Sequence, residues 1–275
     1  MPHEHDTIQA PPAALLVVGN TRARTAHYAN GAVHQSSSHD AGDADAVAHA
    51  LGPFLDDHHA APLLVASVNQ RNAKAVVQQL ASRFDQIIHA GVDLPIPMTT
   101  SVAQPTRVGI DRLLCCVAAY KMAEQACIVI DAGTAITVDF VDGHGVHHGG
   151  AIAPGVGPML AGLHAAAPAL PELSARDALA MTVSQTQPWG ADTEPAMALG
   201  ARGAAVGLVH TLVDRFALAY GAYPRVIATG GDALALFEND EIVEHIVPDL
   251  QLAGLAHAYE VMIESLDDDA DDDDV

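Results

Sequence analysis

Residues 126–155 read ACIVIDAGTAITVDFVDGHGVHHGGAIAPG. The apolar run Ala126–Ile130 predicts a strand ending at Asp131-Ala132-Gly133-Thr134. Ile136–Val141 predicts a second strand, Asp142-Gly143 a turn, and Val146–Ile152 a third strand. The opening of the chain has the same form. Ala13–Gly19 is a near-continuous apolar run, as expected of a strand covered on both faces, and it enters Gly19-Asn20-Thr21. A hairpin with its turn at Asn30-Gly31 follows, joining Thr25–Tyr28 to Ala32–Gln35. The two strand–Gly–Thr corners lie about 114 residues apart, so the spacing reads as one duplicated unit and not as a short-period solenoid.

Helical and strand patterns alternate around these corners, which gives an α/β fold. Ala44–Leu51, Ala73–Phe84, Val108–Glu124, Thr193–Tyr220 and Leu250–Ile263 read as helices, and Pro62–Val68 and Arg225–Thr229 as strands. The partition expected is a disordered arm at 1–12, a first lobe at 13–107, a second at 108–266, and an acidic disordered tail at 267–275.

Among 275 residues, 34 are acidic and 12 basic, for a formal charge of −22. Seven carboxylates fall in the last nine residues, yet those outside the tail still outnumber the basic groups about two to one. Such a surface repels phosphate backbones and anionic lipid, so neither nucleic acid nor a membrane is an expected partner. Half the residues are hydrophobic, enough for a sizeable core. Cys115, Cys116 and Cys127 form no disulfide or zinc spacing and read as small core residues. No basic leader precedes the short apolar run AALLVV, so a cytoplasmic protein is expected.

A strand–Gly–Thr corner offers backbone N–H groups and a hydroxyl to an anion, with no side chain in the way. Two such corners across a cleft would clamp a polyphosphate. Ala228-Thr229-Gly230-Gly231-Asp232 ends a strand and opens a helix; alone, it is an ordinary turn. Gly109-Ile110-Asp111-Arg112 sets an acid and a guanidinium at a helix start. There the aspartate is either a charge favoured by the helix dipole or a base for phosphoryl transfer, and the residues alone leave both readings open.

Taken in order, the VxGNT element, Gly109-Ile110-Asp111-Arg112, DAGTAIT, Gly149–Gly155 and ATGG resemble the type III pantothenate kinase family, over roughly residues 15–260. That resemblance implies a duplicated actin-like, ribonuclease-H-like ATPase fold of two lobes with a nucleotide cleft between them. It implies transfer of the γ-phosphate of ATP to pantothenate, giving 4′-phosphopantothenate for coenzyme A synthesis. Asp111 would be the catalytic base, and Gly109, Ile110, Arg112 and Thr193 would bind pantothenate, Thr193 across a homodimer interface. Val17, Val18, Gly19, Asn20, Thr21, Arg24, Thr134, Gly230 and Gly231 would bind ATP, with Arg24 in place of a usual lysine. Asp131 would hold a monovalent cation, K⁺ or NH₄⁺, and Mg²⁺ would accompany the ATP.

Two positions depart from the family pattern. Val17 replaces the first acid of Asp-x-Gly-Asn-Thr, and Val102 replaces a tyrosine of the pantothenate pocket. These substitutions keep two alternatives in play: a homologue that binds without turnover, and a kinase for another small hydroxyl acceptor. His144, His147 and His148 read as a solvent-facing loop, Asp56–His59 as a turn, the aspartate tail as a solubilising end, and Trp189 as a core residue.

Overall fold

The structure, a computed structural model, describes residues 9–181 and 188–272. They form two compact units: Met1–Met98 with Thr106–Ala118 and Asp249–Val275, and Thr99–Pro105 with Ala119–Pro248.

In the first unit the chain order is β1 (Ala13–Val18), β2 (Arg22–Ala29), β3 (Ala32–Asp40), α1 (Ala44–Asp57), β4 (Leu63–Ser67), α2 (Gln70–Leu80) and β5 (Ile87–His89). The sheet order is β3-β2-β1-β4-β5; β1, β2 and β3 pair antiparallel, while β4 and β5 continue parallel to β1. Alternation along β1 explains its unbroken apolar sequence. Ala13, Leu15 and Val17 pack in one cluster with Leu252, Leu255 and Tyr259, whereas Ala14, Leu16 and Val18 pack in another with Leu51, Val76 and Leu80. Asn30 and Gly31 both take positive φ at the β2–β3 turn, as the Asn-Gly pair requires.

The second unit repeats this plan. After β6 (Thr99–Thr100), a 3₁₀ turn at Pro105–Arg107 and α3 (Ile110–Ala123), the chain makes β7 (Cys127–Ala132), β8 (Ala135–Val141) and β9 (Val146–Pro154). It continues through α4 (Val156–Ala166), α5 (Ala175–Ala180), α6 (Thr193–Tyr220), β10 (Arg225–Thr229), α7 (Ala233–Phe237), β11 (His245–Ile246) and α8 (Leu250–Asp272). The sheet order β11-β10-β7-β8-β9-β6 contains β9-β8-β7-β10-β11, which matches β3-β2-β1-β4-β5 strand for strand. Antiparallel and parallel pairings also coincide, so the duplication read from the sequence is present in the topology.

By length and composition α6 could cross a membrane. Along one of its faces Met197, Ala201, Ala205, Val209 and Val213 recur and pack in this unit's core. All three cysteines are buried and unbridged, and burial pushes the Cys127 thiol up to about 12.

Several boundaries differ from the sequence reading. The units do not divide after residue 107, because α8 returns to the first sheet and buries Leu252, Leu255 and Tyr259 there. α1 runs on through Pro53 to Asp57, its last turn held by buried Phe54 and Leu55. α8 extends to Asp272, so the acidic tail is helical that far; residues 273–275 lie outside the described residues. Of the expected disordered arm, residues 1–8 also lie outside them, and Ala10 is buried ahead of β1. Trp189 is 65% exposed, not packed in the core, where the chain at Gly190 lies against the backbone of Pro195 and Ala196.

Candidate active site

The first corner follows β1. The Gly19 N–H donates to the Arg22 carbonyl at 2.9 Å, and a Cβ at 19 would stand 3.1 Å from that oxygen. Asn20 and Thr21 are exposed. The turn between β4 and α2 braces this corner: Ser67 Oγ donates to the Val18 carbonyl at 3.2 Å and accepts from the Asn69 N–H at 2.9 Å. Asn69 caps α2 through the Asn72 N–H and donates its Nδ2 to Asn20 Oδ1 at 3.4 Å. Sequence reasoning missed Ser67 and Asn69; the signal was a Ser-x-Asn cap just after the strand at 62–68.

The strand behind the corner is apolar. Val17 is 4% exposed and Val18 fully buried, on opposite faces, so neither brings a polar side chain to a ligand. Arg24 pairs across the sheet with Val17, and its Nη1 contacts Asp249 Oδ1 at 2.5 Å. Ser36 Oγ donates to the other oxygen of the same carboxylate. Arg22 is bonded to the side chain and carbonyl of Ser38. Arg24, expected near the phosphates, is therefore engaged by Asp249, just ahead of α8, and Arg22 by Ser38 of β3.

Asp111, in the first turn of α3 and half-buried, belongs to this unit too. Its Oδ1 accepts the Arg112 N–H at 2.9 Å. A Cβ at residue 109 would stand 2.5 Å from that same oxygen, so glycine is what lets the carboxylate sit there. Ile110 packs against the first core, with Cδ1 3.2 Å from where a Cβ at Gly91 would lie, and Arg112 is half-buried beside Asp111.

The second corner joins β7 to β8 in the other unit. The Gly133 N–H donates to the Ala135 carbonyl at 3.0 Å, and the Gly155 N–H to the Thr134 carbonyl at 2.9 Å. Asp131 is half-buried, and Thr134 is exposed. A Cβ at Gly155 would stand 1.8 Å from the Gly133 oxygen. Gly230, at φ +101°, approaches from β10, where a Cβ would stand 2.3 Å from the Ala132 oxygen and 2.5 Å from Asp131 Oδ1. The Asp232 N–H completes the junction on the Ala132 carbonyl at 2.9 Å. The ends of β9 and β10 thus pack on the backbone of the β7–β8 corner, Gly230 also against the Asp131 carboxylate, while the sides of Gly133 and Gly231 stay open. Burial raises the Asp232 carboxyl above its ordinary value, and this acid, quoted in the ATGGD motif, was not among the expected site residues. Thr193 sits on a different element, exposed in the first turn of α6.

Asp131 offers one half-buried carboxylate, against which the backbone of Gly230 packs closely. Position 17, which lies in an apolar cluster, offers no protein ligand for a divalent ion.

The histidine trio corrects another expectation. Only His144 keeps to the solvent-facing turn as read. His147 is fully buried in β9, with Nε2 2.7 Å from Asp139 Oδ1, because the turn closes by Val146 and alternate strand residues face inward. His148 lies on β9 and not in the turn, but is solvent-facing as read, and pairs with Asp142.

The sequence profile of the type III pantothenate kinase family matches residues 15–215, a range that takes in both corners and the helix start at Asp111. The chain belongs to that family. A type III pantothenate kinase of Rhodopirellula baltica is 39% identical over 180 residues, covering 63% of this chain and 62% of that protein. One from Acidiphilium cryptum is 41% identical over 152 residues, 55% of this chain and 54% of the relative. One from Dehalococcoides mccartyi is 30% identical over 196 residues, covering 68% and 73%. The chain thus spans somewhat under two thirds of the length of the first two relatives it matches.

Among solved structures, the fold resembles (R)-2-hydroxyglutaryl-CoA dehydratase component A of Acidaminococcus fermentans, with TM-score 0.51, 16% identity, and coverage of 92% and 97%. A Campylobacter jejuni protein bearing the name of a Baf family transcriptional activator gives TM-score 0.54 at 20% identity, with coverage of 90% and 98%. At these identities the likeness is one of fold: the duplicated mixed α/β fold of actin-like ATPases and sugar kinases.

Proposed function

We propose that this family member phosphorylates pantothenate with ATP to give 4′-phosphopantothenate and ADP. The observation that carries the reading is the pairing of Asp111 with a Cβ-free residue 109, in a chain whose second corner keeps Asp131, Gly133, Thr134, Gly155 and Gly230 knitted by backbone contacts. Asp111 accepts the proton of the pantothenate hydroxyl as its oxygen bonds to the γ-phosphorus; the bond to the bridging oxygen of ADP breaks and that oxygen leaves with the electron pair. Arg112 answers the pantothenate carboxylate. In this reading Gly19, Asn20, Thr21, Thr134, Gly230 and Gly231 present backbone groups and hydroxyls to ATP.

Asp131 holds the monovalent cation in this reading. Mg²⁺ accompanying the ATP would supply charge neutralisation. Thr193 completes the acceptor site of a second copy in a homodimer, which agrees with its exposure at the start of α6. The reaction draws on ATP, and we place it in the cytoplasm on that ground.

A second reading, binding without turnover, draws on the buried Val17 and on Arg24 already held by Asp249. A coupled ADP-release assay, run with and without pantothenate and with K⁺ or Na⁺, separates the readings. ADP release that needs both pantothenate and K⁺ is expected. Nucleotide binding with no release supports the second reading, and release with another alcohol in place of pantothenate moves the acceptor.

A further inference from the structure

β6 is only two residues long and pairs with β9 at Thr99↔Val146 and Thr100↔His147. Two ladder pairs are a weak hold on an edge strand. The side chains add a second hold, built twice over on consecutive residues. Thr100 Oγ1 lies 3.1 Å from His147 Nδ1, and His147 Nε2 lies 2.7 Å from Asp139 Oδ1. One residue on, Ser101 Oγ lies 3.0 Å from His148 Nδ1, and His148 Nε2 lies 2.7 Å from Asp142 Oδ2. Thr100 Oγ1 also donates to the His147 carbonyl at 3.1 Å, so its hydroxyl ties β6 to both the ring and the backbone of His147. The Ser101 N–H also donates to the His147 carbonyl at 2.9 Å.

The inner relay is dry. His147 is fully buried and Asp139 2% exposed, so its hydrogen bonds face no competition from water. Val102 comes next, resting over Gly149, where a Cβ would stand 3.1 Å from Val102 Cγ1. Nine residues after Val102 the chain reaches Asp111.

We propose that the paired hydroxyl–imidazole–carboxylate relays clamp residues 99–102 onto β9 and so set the affinity for the acceptor. His147 and Thr100 are then positioning residues. The inference rests on the kinase reading above and on the family resemblance, which implies that position 102 lines the acceptor pocket. It gives one role to two histidines, next to a glycine pair, that each find both a carboxylate and a hydroxyl.

Thr100→Val keeps the shape of the side chain and removes one hydroxyl. In the full chain, amide hydrogen exchange at 99–104 should quicken. The KM for pantothenate should rise about fivefold, as expected for one ordinary hydrogen bond, with kcat and the KM for ATP within about twofold. Thr100→Ser, which restores a hydroxyl, should return both readouts to the parent values. Ser101→Ala with Thr100→Val should exceed the single variant. Unchanged exchange overturns the clamp, whatever the activity. Faster exchange with an unchanged pantothenate KM, or with equal losses in kcat and both KM values, overturns the positioning role. If the parent chain does not turn pantothenate over, the kinase reading and the acceptor half of this inference fall together, and the exchange result still decides the clamp.

Discussion

Residue 109 carries no Cβ, and the carboxylate of Asp111 occupies the space a Cβ would need, 2.5 Å away. The clash would fall on the end of a rotatable side chain and not on backbone, so Gly109→Ala should turn Asp111 aside without unfolding the helix. The expected result is a kcat lowered about tenfold or more with a melting midpoint close to the parent's. Asp111→Asn, which keeps the shape and loses the base, should lower kcat by about 10²–10⁴ while nucleotide still binds. Steady-state kinetics with nucleotide-binding titrations checks both. A Gly109→Ala enzyme with full kcat would show that Asp111 tolerates a second position, and full kcat in Asp111→Asn would remove it from the chemistry.

At this scale the sequence was informative wherever chemistry and local spacing coincide. Asp111, Asp131 and the glycine corners could be picked out because their neighbours in the chain are their neighbours in space. Ser67, Asn69 and Asp249 were not, because beside any local contacts each touches a residue far along the chain: Val18, Asn20 and Arg24. Arg24 sits 225 residues along the chain from the carboxylate that holds it.

At the level of elements, the link between α6 and the loop before β11 depends on one carboxyl. Asp240 Oδ2 faces His210 Nε2 at 2.7 Å, while Oδ1 accepts the N–H groups of Ile242 and Val243 at 2.9 and 3.3 Å. Burial alone would raise this carboxyl; the backbone donors and His210 outweigh it and hold the group below the usual carboxylate range. A depressed folded value means stability that is present above the unfolded value, about 3.9, and is lost as pH falls through the lower folded one. Urea unfolding between about pH 5 and 3 should therefore weaken less steeply in Asp240→Asn than in the parent. Identical slopes would mean that the acid sensitivity lies elsewhere.

Elements with a long period were legible for the same reason the carboxyl network was not. α6 matches its predicted span because buried residues recur along 28 positions, and β1 shows as an apolar run because both faces are covered. Two-residue β6 and β11 carry too few positions to show any period, and α4 is too evenly apolar to show a face. The end of α1 was hidden by Pro53, a helix breaker outweighed here by the burial of Phe54 and Leu55.

For the molecule as a whole, the formal charge of −22 works against compactness. Like charges on a closed surface repel, and salt of moderate strength screens that repulsion over distances of about 8–10 Å. The melting midpoint should rise between about 0.02 and 0.5 M NaCl, and by a similar amount in KCl. A midpoint that falls with salt would mean that attractive pairs such as Arg225–Glu244 outweigh the general repulsion. The repeat of one strand order in two units was the most legible property of all, since it needs only two similar corners about 114 residues apart. What the repeat concealed is that the halves have drifted: position 17 has become core, while its counterpart Asp131 stays half-buried.

The rim around Asp131 also predicts how this gene can drift. Every missense change at a glycine codon adds a Cβ, and at Gly155 and Gly230 that atom would land 1.8 and 2.3 Å from a backbone oxygen that cannot swing away. At Gly133 and Gly231, in the same few ångströms of chain, it would meet nothing. Saturation mutagenesis should therefore find adjacent glycines of opposite tolerance, with two at which no replacement folds undisturbed and two at which many do, and family-wide invariance at all four would point to a bound ligand as the reason for the second pair.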